Sequence, residues 1–280
     1  MNLLSDTFVL NNGSGIPCIG FGTWQTPDGQ TAVNSVKYAI EAGYRHIDTA
    51  AIYGNEKGVG QGIRESGIDR RELFITTKLW NTDRGYETAL KAFDTSLKNL
   101  GVDYIDLYLI HWPDNHSNGA KVNADTWRAF EKLYKEGAIK AIGVSNFLEH
   151  HLRTLLDSAE IVPAIDQIEF HPGQMQPETV LFCKSNGIFV QAWSPLGTGR
   201  MLNNPELTKI AQKYGKSVAQ LCIRWALQNN VLPLPKSVTP SRIKENANVF
   251  DFEISDADMQ TINSMPYFGG SGLNPDTIMF

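Results

Sequence analysis

His46-Ile47-Asp48-Thr49-Ala50-Ala51-Ile52-Tyr53-Gly54-Asn55-Glu56 reads as a short strand, a loop and the opening of a helix. The strand, Arg45–Asp48, delivers an aspartate to its carboxyl end; the loop presents Tyr53; Glu56 begins a helical pattern. Taken alone, an acid and a phenol five residues apart are equally well explained by a solvated aspartate in a turn and a tyrosine packed under a helix. The unit becomes informative because it recurs.

A short apolar run, a polar or glycine-bearing loop and an amphipathic helix repeat along the chain. The strand candidates are Ile19–Gly22, Arg45–Asp48, Leu73–Lys78, Tyr104–His111, Ile139–Val144, Ala164–Glu169, Phe189–Trp193 and Val231–Pro235. Helical spacing covers Thr88–Leu100, stopped by Gly101, Ala124–Glu136, closed by Gly137, and Ser217–Gln228. Ser255-Asp256-Ala257-Asp258 starts a further helix near the C-terminus. Ahead of the first strand, Thr7–Leu10 and Ile16–Ile19 flank the turn Asn11-Asn12-Gly13-Ser14-Gly15, a hairpin pattern. Eight strands alternating with helices, with no break in composition, predict an α/β protein. The expected architecture is a (β/α)8 TIM barrel with an N-terminal β-hairpin and an extra C-terminal helix, residues 1–280 forming one domain. An open doubly wound sheet is the alternative. It is disfavoured because Gly20-Phe21-Gly22 and Gly58-Val59-Gly60 both lack the third glycine of a dinucleotide fingerprint.

The 280 residues, 42% hydrophobic and 20% charged, suffice for such a core. A net charge of −5 argues against a nucleic-acid surface, so any anion site is local. Cys18, Cys183 and Cys222 are scattered without C-x-x-C spacing, which predicts free thiols, no metal site and a reducing compartment. No leader pattern or membrane-length apolar run is readable, so a cytoplasmic protein without membrane partners is expected. No exposed apolar seam is readable either, which makes a monomer the expectation.

A barrel places its chemistry at the carboxyl ends of the strands. Asp48, Lys78 and His111 end three of the predicted strands, and Ser145-Asn146, Gln167, Trp193-Ser194 and Lys236-Ser237 close or follow the others. Lys78 either snorkels to the surface or points into the site, where Asp48 is the available counter-charge. Beside Tyr53 it would draw the phenol below its ordinary pKa of ~10. His111 is either a satisfied core histidine or a donor to a bound carbonyl oxygen. A metal-dependent barrel hydrolase using His46, Asp48 and His111 is a competing reading, weakened by the cation at Lys78.

Taken in order, several motifs resemble the aldo-keto reductases, in particular the microbial 2,5-diketogluconate-reductase and morphine-dehydrogenase-like branch. They are Gly22-Thr23-Trp24, Gly43–Ala50 with Tyr53-Gly54-Asn55-Glu56, Thr77-Lys78-Leu79-Trp80, Asp106–Pro113, Gly143–Phe147, Gln167–Pro172, Trp193–Gly197 and Pro235–Thr239. The likeness runs from Phe8 to about Pro266. It implies NADPH-dependent reduction of aldehydes or ketones (sugar-derived dicarbonyls or α-keto compounds among them) to alcohols, with Asp48, Tyr53, Lys78 and His111 as the catalytic four and Tyr53 as general acid. A small-molecule carbonyl compound is the implied partner. A non-catalytic regulatory module of the same family is the alternative, disfavoured by the intact quartet.

The same resemblance places a cofactor on Gly22, Thr23 and Trp24, with Ser145, Asn146 and Gln167 at its carboxamide. Trp193 falls where the family stacks an aromatic, often tyrosine, and offers a π-face without a hydroxyl. Ser194, Leu196 and Gly197 fall at the pyrophosphate loop. Thr239-Pro240-Ser241-Arg242 reads as an N-cap with proline in the first turn. A cation such as Arg242 at a helix amino end is unfavourable unless an anion lies between. With Lys236, Ser237, Val238 and Thr239 it fits an adenosine 2′-phosphate, hence NADPH, with NADH weaker; Glu245 and Asn246 would lie near the adenine. Trp24, Trp80, His111 and Trp112 are expected to line the substrate mouth. The short Asp114–Asn123 loop and brief tail predict an open pocket, over which Phe280 is placed to fold back.

Overall fold

The computed structural model describes Met1 and residues 3–278, so Phe280 lies outside the described residues. A hairpin, β1 (Thr7–Val9) and β2 (Gly15–Pro17), precedes eight parallel strands: β3 (Phe21–Gly22), β4 (His46–Asp48), β5 (Phe74–Leu79), β6 (Ile105–Ile110), β7 (Ile139–Ser145), β8 (Ile165–Glu169), β9 (Phe189–Trp193) and β10 (Leu232–Pro233). The strands pair in sequence order from β3 to β10, and the helices include α1 (Gln30–Glu41), α5 (Glu149–Leu156), α6 (Pro177–Ser185) and α7 (Pro205–Lys213) besides those taken up below. The Gly20 N–H donates to Pro233 O at 3.1 Å and the Gly22 N–H to Pro235 O at 3.0 Å, joining the two edges into the TIM barrel expected from the repeat. The open doubly wound alternative is thereby discarded.

Alternation along each strand sorts the side chains. Thr77, Tyr108 and Asp166 face the outer helices: Thr77 donates to Glu56 of α2 (Glu56–Ser66) at 2.7 Å. Tyr108 packs on Phe93 of α3 (Tyr86–Leu100) and Phe130 of α4 (Gly119–Lys135). Asp166 receives the Cys183 thiol. Their neighbours Thr76, Lys78 and Gln167 turn inward, where Thr76 meets His46 and the other two meet Asp48. One period-two rule therefore assigns both the helix packing and the site.

Several boundaries differ from the predicted ones for local reasons. The helix expected from Ala124 begins at Gly119, because Asp114 closes a turn with Asn123 and the chain coils early; a Cβ on Gly119 would lie 2.0 Å from Asp114 O. Helix α8 (Val218–Gln228) has Ser217 as its N-cap, reciprocated by Gln220. The glycines of Gly58-Val59-Gly60 serve packing: a Cβ on Gly60 would sit 2.0 Å from Leu100 O, so α2 can approach the end of α3 only without one. The hairpin covers the amino ends of the strands, with Phe8 against Phe189 at 4.5 Å and Asn11 donating to Pro163 O at 2.9 Å. Cys18, Cys183 and Cys222 are buried free thiols. Among the described residues no helix is long and apolar enough to cross a membrane.

The last helices are α9 (Pro240–Ala247), with Thr239 as N-cap and proline in its first turn as read from the sequence, and α10 (Asp256–Asn263), capped by Ser255. Beyond it the chain crosses the carboxyl end of the barrel, contrary to the expected open pocket. Ser271 donates from N and Oγ to the Glu169 carboxylate at 2.7 and 2.6 Å, Pro275 O accepts from Asn115, and Asp276 meets His150 at 2.8 Å. A brief tail is sufficient because Glu169, at the end of β8, offers two carboxylate oxygens to a polar segment.

Candidate active site

At the carboxyl ends of the strands lies a cavity of about 780 Å³. Its wall includes Asp48, Tyr53 and His111, with Lys78 fully buried behind them. The Lys78 ammonium donates to Asp48 Oδ1 at 2.6 Å, to Thr49 O at 2.9 Å and to the Tyr53 hydroxyl at 3.4 Å. Asp48 spends its other oxygen on the Gln167 side-chain amide at 2.8 Å. His111 meets the Tyr53 ring edge-on at 5.7 Å and the Trp80 ring at 5.3 Å. The sequence alternative of a snorkelling lysine is excluded.

Burial alone would lower the Lys78 pKa, but Asp48 and then Tyr53 reverse this and hold it above its ordinary value. Tyr53 departs from the sequence expectation. Burial pushes its phenol up, Lys78 opposes, Asp48 adds to the rise, and the net direction is upward. The phenol is therefore a protonated acid in the free protein, and the lysine acts by favouring the phenolate once the proton leaves. Burial first, then Lys78 and Arg84, push His111 well below 6.5, so it is a neutral imidazole. Its Nδ1 has no partner among the described residues.

Opposite this group, Ser145, Asn146, Gln167 and Trp193 form a second wall. Gln167 gives both amide hydrogens away, to Asp48 and to Gln191 Oε1 at 3.0 Å. The Ser145 hydroxyl donates to Gln167 O at 2.7 Å. Trp193, lacking a hydroxyl, uses its indole N–H to reach Asn146 Oδ1 at 2.8 Å. Farther along, Gly22, Trp24, Ser194, Leu196, Lys236, Ser237, Arg242, Glu245 and Asn246 continue the lining. Burial lowers the Lys236 pKa, its ammonium reaches only Gln25 O at 3.2 Å, and neither Lys236 nor Arg242 has an ion-pair partner among the described residues. Uncompensated cations at a helix amino end call for an anion.

Five sequence-predicted residues are not on the wall. Lys78 stands behind it; Thr23 is buried beneath, its hydroxyl donating to Asp48 O at 2.9 Å; Gly197 is turned against Met201; Val238 and Thr239 lie outside on exposed backbone around the start of α9. Trp80 and Trp112 do line the cavity. The wall also holds Gln25, Ile52, Thr198, Leu202, Ser217, Ser271 and Leu273, which strand-end reasoning does not reach because they come from loops and the tail. One signal is backbone strain: Gln25, Asn146, Ser194 and Thr198 all adopt positive φ (57°, 63°, 49° and 55°) around this cavity.

Comparison with known proteins agrees with this geometry. The Aldo/keto reductase family matches residues 18–266. Glyoxal reductase of Bacillus subtilis is 54% identical over 277 residues, covering 99% of each chain. Morphine 6-dehydrogenase of Pseudomonas putida is 45% identical over 280 residues, covering 95% of this chain and 93% of that one. A crystal structure of a Gox0644 variant in complex with NADPH superposes with a TM-score of 0.92 at 40% identity, covering 99% of each chain. A barrel of this order, with an acid, a lysine, a tyrosine and a histidine gathered at its rim and these relatives along its whole length, belongs to the aldo/keto reductase family of oxidoreductases.

Proposed function

We propose that the protein reduces small aldehydes, ketones and dicarbonyls of the glyoxal type to alcohols with NADPH, and uses NADH less well. The observation that carries this is the Lys78 ammonium held between Asp48 Oδ1 and the Tyr53 hydroxyl beside a neutral His111. The relative named glyoxal reductase supports the substrate class, and the NADPH complex of a similar fold supports the cofactor. The residues present fit the dinucleotide: the Trp193 face and the Gln167 amide oxygen for the nicotinamide end, Ser194 and Leu196 for the pyrophosphate. Lys236, Ser237 and Arg242 suit the 2′-phosphate, with Glu245 and Asn246 by the adenine. When bound, the nicotinamide supplies the hydride that reaches the carbonyl carbon.

The chain supplies orientation and charge. His111 orients the carbonyl oxygen and Tyr53 gives it the phenolic proton. Lys78, fixed by Asp48, favours the phenolate left behind, so its stabilisation grows as charge develops. Trp24, Trp80 and Trp112 bound the substrate side and exclude water. NADPH oxidation measured with glyoxal, α-keto esters and aromatic aldehydes tests this. Tyr53→Phe should lower turnover by about 10²–10⁴-fold with the NADPH Kd nearly unchanged. Undiminished turnover in that variant sinks the role of Tyr53, and rates independent of NADPH sink the function.

A further inference from the structure

The two walls of the cavity are joined by one short chain of hydrogen bonds. The Trp193 indole N–H donates to Asn146 Oδ1 at 2.8 Å. The same amide donates through Nδ2 to His111 O at 2.9 Å and to Ser145 Oγ at 3.0 Å. Asn146 is buried and held at φ 63°, a conformation that its neighbours must enforce. Amide orientation is settled by these partners: a carbonyl oxygen and a hydroxyl already committed to Gln167 O both require a donor, and the indole requires an acceptor.

We infer that Trp193 is a positioning residue whose indole N–H, through Asn146, fixes the backbone that carries His111. This rests on the proposed carbonyl reduction and assigns Trp193 a task beyond offering an aromatic face. Without the indole N–H, Asn146 Oδ1 is unpaired in a buried site, the amide is free to turn, and His111 O loses its donor. The imidazole then no longer meets the carbonyl oxygen at a fixed place, so the hydride step slows while the aromatic surface remains.

Replacing Trp193 by β-(3-benzothienyl)alanine keeps the two-ring face and removes only the N–H; Trp193→Phe is the genetic counterpart. Both should lower kcat about tenfold, the worth of one buried hydrogen bond. In the benzothienyl variant, which keeps the face, NADPH Kd should stay within about twofold, and in both variants the isotope effect on kcat with NADPH deuterated at the transferred position should rise. The W193F/N146A pair should lose no more than N146A alone, because both act through one link. Wild-type kcat in the benzothienyl variant, or losses that multiply in the pair, overturns the inference. Exchange of the Trp193 indole proton, followed by ¹⁵N NMR, is read apart from turnover. Slow exchange that N146A makes fast supports the link, and fast exchange in the unaltered chain overturns it at any activity. A protected indole in a chain that oxidises no NADPH would instead overturn the functional reading alone.

Discussion

Lys78 ranks with tryptophans and tyrosines among the largest side chains that are wholly buried. A cation is kept there by three oxygens, and removing either charge strands the other. Lys78→Met should cost about 3–5 kcal/mol in urea unfolding, and D48N/K78M should be less destabilised than the sum of the two single changes. His46, one strand position pair below Asp48, poses the opposite problem. Burial, helped by Lys78, lowers its pKa from 6.5 to about 3. The unfolded imidazole takes up a proton below 6.5 and the folded one does not, so stability falls as the pH drops through that window. The slope is about 1.4 kcal/mol per pH unit. Comparing pH 7 with pH 5, His46→Asn should lose about 2 kcal/mol less than the parent chain.

At the level of elements, glycine has two distinct uses that sequence alone does not separate. The pair in Gly58-Val59-Gly60 reads as a failed phosphate loop, yet it lies inside α2, where Gly60 lets the helix touch Leu100 O and Gly58 lies against Asp28 and Ala32. Gly60→Ala should therefore destabilise by about 1–3 kcal/mol, despite alanine's better helix propensity, while Gly58→Ala meets mainly Asp28 and Ala32 side chains and should cost less. Urea titration of both variants checks the order. The strands and the quartet were legible because inward positions recur every second residue and polar groups at strand ends break an apolar run. The tail was not legible: Ser271 reaches Glu169 across 102 residues, and no local periodicity records a contact of that separation. The rise in the Tyr53 pKa was hidden for a similar reason, since a lysine neighbour can be read from order and spacing but the depth of burial cannot.

Across the whole molecule, the eight strands do not share the closure equally. Strands β5, β6 and β7 run six or seven residues and pair at four positions between β5 and β6 and five between β6 and β7, whereas β3 and β10 are two residues each. The N–H groups of Gly20, just before β3, and of Gly22 end on Pro233 and Pro235, which have no N–H to return, while Leu234 turns its own N–H to Ala192. The rim beside that junction is the cavity wall of Gly22, Trp24 and Gln25 and of Leu234 to Ser237, so a dinucleotide bound as proposed would span both edges. The barrel thus has a zip-like suture where breathing should start, and a dinucleotide bound as proposed would be its clasp. Deuterium uptake at Gly20 and Gly22 should outpace that of β5 and β6 in the free protein and slow when NADPH is added; uptake indifferent to NADPH would mean the suture holds by itself.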